Sequence, residues 1–137
     1  MKLKTFLAIN LILLSACSHP TRLSIAKMQL VGVWHENSSD AGSIKELIFR
    51  DDGTFSVTKI PFDVSKDYSG TYTIAPKKHI LHLKITDSKY TPSDIDISNF
   101  HYSAKSQNEL ILTNGCFGSF NNNSQKKNRY LFLKGYE

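Results

Sequence analysis

From residue 30 to residue 134 the chain repeats one pattern, in which short apolar runs are separated by Gly, Asp, Asn, Ser or Pro. Within many runs apolar and polar side chains alternate, and successive side chains of an extended strand point to opposite faces of a sheet. No segment here has the apolar spacing of a long helix. The pattern therefore predicts an all-β domain of roughly eight strands. They are expected at 30–35, 44–49, 54–60, 69–74, 80–85, 100–104, 110–113 and 129–134.

Short turns join most of these strands, so neighbouring strands should pair as antiparallel hairpins. The clearest signal is Asp52-Gly53, because this turn needs a positive φ that glycine adopts without steric cost. An open meander exposes two unpaired edges, and closure into an up-and-down barrel removes both. We expect closure between the first strand, near Trp34, and the last, near Leu131. Alternation then places these side chains inside: Trp34, Phe55, Val57, Tyr72, Ile74, Leu81, Leu83, Phe100, Tyr102, Leu110 and Leu112.

The N-terminus has the order of a secretory signal. Lys2 and Lys4 supply positive charge, residues 5–14 form a nearly uninterrupted apolar run, and small residues precede Cys17. An apolar run of about ten residues is too short to span a bilayer, which takes about twenty. Residues 1–16 are therefore predicted to be a cleaved signal peptide.

The residues around the predicted cleavage site resemble the lipobox of bacterial lipoproteins. Leu14-Ser15-Ala16-Cys17 matches the pattern Leu-(Ala/Ser)-(Gly/Ala)-Cys, just after the apolar run. The resemblance implies that the Cys17 sulfur carries a diacylglyceryl group and that Cys17 becomes the first mature residue. Residues 17–28 are then a lipidated N-terminus and tether, and residues 29–137 form the barrel domain. An alternative is a secreted protein with a disulfide between Cys17 and Cys116, the only other cysteine.

Length and charge indicate one modestly basic domain. The chain has 137 residues and a formal charge of +5, which falls to +3 when Lys2 and Lys4 leave with the signal. This length suits one domain with one core. The charge fits a place near anionic lipid or polysaccharide and is too diffuse to indicate nucleic acid as a partner. Ser18 stands where inner-membrane retention signals have aspartate, which for a Gram-negative cell favours the outer membrane, facing the periplasm or the cell surface.

Gly32-Val33-Trp34, at the start of the first strand, resembles the Gly-x-Trp signature of the lipocalins, which are calycin barrels. Residues 25–29 before it can form a turn of helix, and the phrases at 52–55 and 69–72 are similar to those of small bacterial lipocalin-like lipoproteins. The resemblance implies that Gly32 lets the first strand pass close to the barrel floor and that Trp34 plugs the closed end. It also implies a basic residue across the indole, for which Arg129 is the candidate.

The same resemblance implies a site for a small apolar ligand inside the barrel. The aromatic residues predicted to face inward would line it, and some of them carry hydroxyl groups. These residues are Trp34, Phe55, Tyr72, Phe100 and Tyr102. They can equally be plain core. The second lipocalin motif, Thr-Asp-Tyr, is absent and the chain is short for the family, so a filled barrel is the alternative.

Motifs that carry catalytic chemistry are absent from the sequence, including Gly-x-Ser-x-Gly, His-Glu-x-x-His and Cys-x-x-Cys. His79 and His82 would point to opposite faces of a strand, so they do not form a metal pair. We predict a non-enzymatic protein without cofactor or metal, attached to its membrane by lipid. An interaction module is the alternative: a filled barrel that docks an envelope protein as an inhibitor or assembly factor, with Lys126, Lys127 and Arg129 as a contact.

Overall fold

A computed structural model describes residues 19–38, 44–59, 66–88, 99–117 and 129–135. Within these ranges the chain forms one short helix and eight strands. No helix in the described ranges has the length and apolar character needed to cross a bilayer. The elements are α1 (Arg22–Leu30), β1 (Gly32–Glu36), β2 (Ile44–Phe49), β3 (Thr54–Lys59), β4 (Lys66–Ala75), β5 (Ile80–Ser88), β6 (Asn99–Ser106), β7 (Glu109–Thr113) and β8 (Arg129–Lys134).

The strands form a closed antiparallel barrel in which each strand pairs with the next along the chain. Closure comes from β1 and β8, where Trp34 lies opposite Lys134 and Glu36 lies opposite Phe132. Because the first and last strands pair with each other, neither is left as an open edge. The prediction of an all-β, eight-stranded, antiparallel up-and-down barrel is confirmed.

The two ends of the barrel differ. At one end, which we call the base, lie α1 and the turns at 50–53, 76–79 and 107–108. At the other end, the mouth, the chain passes between β1 and β2, β3 and β4, β5 and β6, and β7 and β8. These four passages include residues outside the described ranges. The up-and-down order places the first residue of β1 and the last residue of β8 together at the base.

The turn between β2 and β3 closes one side of the base. Gly53 has a φ of +85°, which costs glycine little, and its carbonyl oxygen accepts the Tyr72 backbone N–H at 2.8 Å. The Asp52 carboxylate accepts the Thr54 hydroxyl at 2.6 Å and the Thr54 backbone N–H at 2.9 Å. These two hydrogen bonds lower the pKa of Asp52, and the bond from the Thr54 hydroxyl has the larger effect. The hairpin predicted from Asp52-Gly53 is confirmed.

The core lies inside the barrel and follows the predicted alternation. Every side chain predicted to face inward is buried except Ile74, which is partly buried. Burying one large apolar side chain contributes about 1.5–3 kcal/mol, so this interior is the main source of stability. Alternation did not single out several other members of the core, which are Leu30, Ile44, Leu47, Phe49, Tyr68, Phe117, Tyr130 and Phe132.

Helix α1 belongs to the folded domain. Thr21 caps its N-terminus, since the Thr21 hydroxyl oxygen accepts the Ser24 backbone N–H at 3.2 Å. Ala26 and Leu30 are buried in the core cluster, so the helix is packed against the base. The packed structure therefore begins at the helix cap, before residue 29, where the barrel domain was predicted to start.

Candidate functional site

Trp34 fills the base of the barrel and is fully buried. Its indole N–H donates to the Leu30 carbonyl oxygen at 2.8 Å, which ties β1 to the end of α1. The Lys134 ammonium group lies 5.1 Å from the centre of the indole ring, within the range of a cation–π interaction. The same ammonium donates to the Val31 carbonyl oxygen at 3.1 Å. Helix, first strand and last strand are thus joined around one side chain.

Gly32 makes room for this arrangement. Its φ of +140° lies in a region that side-chain-bearing residues rarely adopt. A Cβ added at this position would lie 2.7 Å from Cε of Lys134, closer than real contacts allow. The absence of a side chain at position 32 therefore lets the Lys134 stem cross the start of β1.

The residue over the indole is Lys134, so the assignment of this role to Arg129 is wrong. Arg129 is exposed at the mouth end of β8, opposite Thr113 of β7. Positions 129 and 134 are an odd number of residues apart, so their side chains lie on opposite faces of the strand. The inward face of β8 carries Tyr130, Phe132 and then Lys134.

All five predicted lining residues are buried. Trp34, Phe55 and Tyr72 lie toward the base, and Tyr102 lies beside the 76–79 turn. Phe100, two positions before Tyr102 on the same face of β6, packs against Phe117.

The two base tyrosines lie beside elements of the base. The Tyr72 hydroxyl donates to the Arg50 carbonyl oxygen at 2.7 Å, and its ring packs edge-on against Phe49 at 5.0 Å. Burial raises the pKa of Tyr72 to about 12, and the carboxylates of the 50–53 turn add to this shift. The Tyr102 ring lies 5.7 Å from the His79 ring, and burial raises the pKa of Tyr102 as well. Both phenols are therefore neutral at neutral pH.

An aromatic cluster fills much of the interior toward the mouth. The rings of Phe100 and Phe117 stack at 4.7 Å, and the Tyr130 ring meets Phe117 edge-on at 5.0 Å. Phe132 extends the cluster, 6.2 Å from both Phe117 and Tyr130. A Cβ at Gly115 would lie 2.6 Å from the Phe100 ring, so the chain can pass the cluster there only without a side chain. We call these four rings the aromatic cluster.

Polar atoms lie beside the aromatic cluster. The Tyr130 hydroxyl oxygen accepts the Phe117 backbone N–H at 3.0 Å, and the hydroxyl donates to the Cys116 sulfur at 3.7 Å. The Tyr68 hydroxyl is buried and has no hydrogen-bond partner among the described residues. Burial raises the pKa of Tyr68 well above its usual value, and the nearby Tyr130 and Cys116 raise it further. Burial also raises the pKa of Tyr130, so both phenols keep their protons at neutral pH.

Sequence reasoning overlooked Tyr68 and Phe117 for different reasons. Tyr68 precedes the predicted start of the fourth strand at residue 69, but the structure begins that strand at Lys66. Counting back in steps of two from Tyr72 would have placed Tyr68 inside. Phe117 has no such signal, because it lies in a polar segment predicted to be a loop and is buried only by contacts with distant strands. Cys116, next to Phe117 in the chain, is a buried thiol.

Other predicted functional residues fall outside the described ranges. These are Cys17 with the signal peptide at 1–16, and the loop residues Lys126 and Lys127. Among the residues that are described, no group of three His, Cys, Asp or Glu side chains is placed to hold a metal ion. His79 has a φ of 53° in the 76–79 turn, while His82 is exposed on β5.

Comparison with protein-family models, with curated proteins and with solved structures found no match. The fold and interior therefore define the protein by architecture alone. It is a small closed up-and-down β-barrel with a tryptophan-plugged base, and its interior carries an aromatic cluster next to buried phenol groups.

The base plug gives a prediction about Lys134. Replacing Lys134 with Met keeps the apolar stem but removes the charge over the indole and the hydrogen bond to Val31, so the free energy of unfolding should fall by about 1–2 kcal/mol. The matched substitution Arg129→Met removes an exposed charge and should change it by less than about 0.5 kcal/mol. Urea unfolding followed by the fluorescence of Trp34, the single tryptophan, measures both. Equal losses in the two variants would contradict the assignment.

The buried phenols give a second prediction. Tyr68→Phe removes a hydroxyl without a partner among the described residues, so the free energy of unfolding should stay constant or rise by up to about 1 kcal/mol. Tyr130→Phe removes the hydroxyl oxygen that accepts the Phe117 N–H, so the free energy of unfolding should fall by about 1–2 kcal/mol. Urea unfolding followed by circular dichroism compares the variants. A loss in Tyr68→Phe as large as that in Tyr130→Phe would show that the Tyr68 hydroxyl has a partner in solution.

Proposed function

We propose that this chain is a non-enzymatic lipoprotein of the bacterial envelope whose lipocalin-like barrel binds a small apolar or amphipathic molecule. The anchor rests on Leu14-Ser15-Ala16-Cys17, placed directly after a signal-like apolar run. Three or even two long acyl chains hold a protein on a membrane far more tightly than one. Ser18 after Cys17 supports the outer membrane as the address.

The buried Tyr68 hydroxyl is the observation that carries the ligand proposal. A buried hydroxyl left without a partner costs about 1–3 kcal/mol, so such groups are rare unless something satisfies them. Tyr68 is 3% exposed and lies opposite Val57 of β3, whose side chain also faces inward. A ligand with an apolar body and an acceptor oxygen would place that oxygen on the Tyr68 hydroxyl. A fatty acid or a related amphiphile has this chemistry.

One observation favours a second candidate function. The ring centres in the aromatic cluster lie 4.7 and 5.0 Å apart, which is the usual spacing of packed aromatic rings in a protein core. A barrel filled in this way supports an interaction module that docks an envelope protein on its outer surface, as an inhibitor or assembly factor. Ligand binding and docking make different predictions for the interior, so the experiments below separate them.

The anchor is tested by comparing the two cysteines. In Cys17→Ser, the purified protein should lack the added mass of the acyl groups and should leave the membrane fraction. Cys116→Ser is the matched control, because it removes the other cysteine and should leave both the added mass and the membrane fraction unchanged. Mass spectrometry of the intact protein and flotation of membranes measure the two properties. A Cys17→Ser protein that still floats with membranes would contradict a lipid on Cys17.

Ligand binding is tested by titration with a fluorescent fatty acid and by native mass spectrometry. The wild-type protein should bind the probe saturably, and Tyr68→Phe should weaken binding about fivefold or more, the equivalent of one lost hydrogen bond of about 1 kcal/mol. Tyr102→Phe is the control, because it removes a hydroxyl at the base and should leave binding unchanged. Absence of saturable binding to the wild-type protein would reject the ligand proposal and favour the filled interaction module.

A further inference from the structure

We propose that the base of the barrel lies directly on an anionic lipid bilayer, with apolar side chains of α1 among the lipid headgroups and the mouth turned away. The proposal rests on the lipid anchor at Cys17 proposed above. It concerns a surface outside the barrel interior and is independent of ligand binding. Three features of the base support it: exposed apolar side chains, basic side chains and the short reach of the tether.

The apolar side chains are concentrated on α1. Leu23, Ile25 and Met28 are 51%, 45% and 74% exposed, and Leu133 is the other large hydrophobic side chain exposed among the described residues. The helix is held by Ala26 and Leu30, which are buried, so its opposite face is presented to the surroundings. Ile25 and Met28 are three positions apart and share that outer face, whereas Leu23 lies at the first turn of the helix. Single exposed apolar residues are normal on soluble proteins, but these two are neighbours on one short helix. We call Ile25 and Met28 the base patch.

Basic side chains lie beside the base patch. Arg22 begins the helix, and Lys77 and Lys78 lie exposed on the neighbouring 76–79 turn. A groove of about 420 Å³ separates the helix from this turn, and Arg22 and Lys77 both line it. Lys27, also on the helix, forms an ion pair: its ammonium group lies 3.7 Å from the Asp51 carboxylate. Basic residues beside an exposed apolar patch match the phosphate groups and acyl chains of an anionic membrane surface.

The tether decides which end of the barrel meets the membrane. Cys17 and Arg22 are five residues apart, which spans at most about 18 Å when fully extended. β5 contains nine residues, and at about 3.3 Å per residue and a tilt of about 40° it spans roughly 23 Å along the barrel axis. A lipid on Cys17 therefore keeps α1 near the bilayer and cannot reach around to bring the mouth against it.

The test uses the full lipidated chain in vesicles of phosphatidylethanolamine with a minority of phosphatidylglycerol. Met28→Cys places a reactive thiol in the base patch, and Thr86→Cys, exposed toward the mouth, is the matched control. A bulky water-soluble maleimide is added to vesicle-bound and detergent-solubilised protein. We expect Met28→Cys to react about tenfold more slowly on vesicles than in detergent, as for a side chain in the headgroup layer. Thr86→Cys should react at the same rate in both.

The charge contribution is tested in the Met28→Cys background. Adding Lys77→Glu and Lys78→Glu should restore labelling to within about threefold of the detergent rate, because each basic residue near an anionic surface contributes about fivefold to its binding. Lys84→Glu, on the exposed wall of β5, should leave the protection in place. Equal protection on vesicles of phosphatidylcholine alone would overturn the requirement for an anionic surface.

Each outcome separates this inference from the anchor. A chain that does not float with vesicles overturns the anchor and this inference with it. A chain that floats, but whose Met28→Cys thiol reacts equally fast on vesicles and in detergent, overturns only the inference. Slow labelling in detergent as well, together with a doubled mass in solution, would assign the base patch to a second copy of the chain and also overturn it.

Discussion

The seating of Trp34 in the base is the interaction on which the rest of the structure depends. Its indole N–H holds the end of α1, and the Lys134 ammonium lies over its ring, so one side chain fixes the helix and both closing strands. Gly32 beside it has a φ of +140°, which favours glycine, and a Cβ there would displace the end of the Lys134 side chain. In the base, the indole N–H and the Lys134 ammonium therefore both have partners within the domain.

The two halves of the interior use their phenol groups differently. Toward the base, the Tyr72 hydroxyl bonds to the Arg50 carbonyl oxygen and is part of the scaffold. Toward the mouth, the Tyr130 hydroxyl is bonded by the chain itself, while that of Tyr68 is buried without a partner among the described residues. This division fits a domain in which one end provides stability and attachment and the other end provides recognition.

Much of this fold could be predicted because alternation and turn chemistry are local properties of the sequence. They placed the strands and about half of the core, since one buried face imposes a period of two along every strand. They failed where contacts are non-local. Phe117 is buried by Phe100 and β8, which no neighbouring residue reveals. The choice between Arg129 and Lys134 could have been made from the alternation of side chains along β8, since Lys134 shares the inward face with Tyr130 and Phe132. The start of α1 was harder to predict, because a short helix has little local sequence signal.

Closure between β1 and β8 has a consequence for how the protein is made. The Lys134 ammonium bonds to a carbonyl oxygen 103 positions earlier in the chain, at Val31. Ribosomes build the chain from its N-terminus, so β2 soon covers one edge of β1, but the other edge must wait for almost the entire polypeptide before β8 exists. Contacts this distant in sequence make folding slow. Until then the growing chain exposes an unpaired strand edge, whose backbone groups can pair with another chain. Any fragment that ends before β8 keeps that edge exposed permanently.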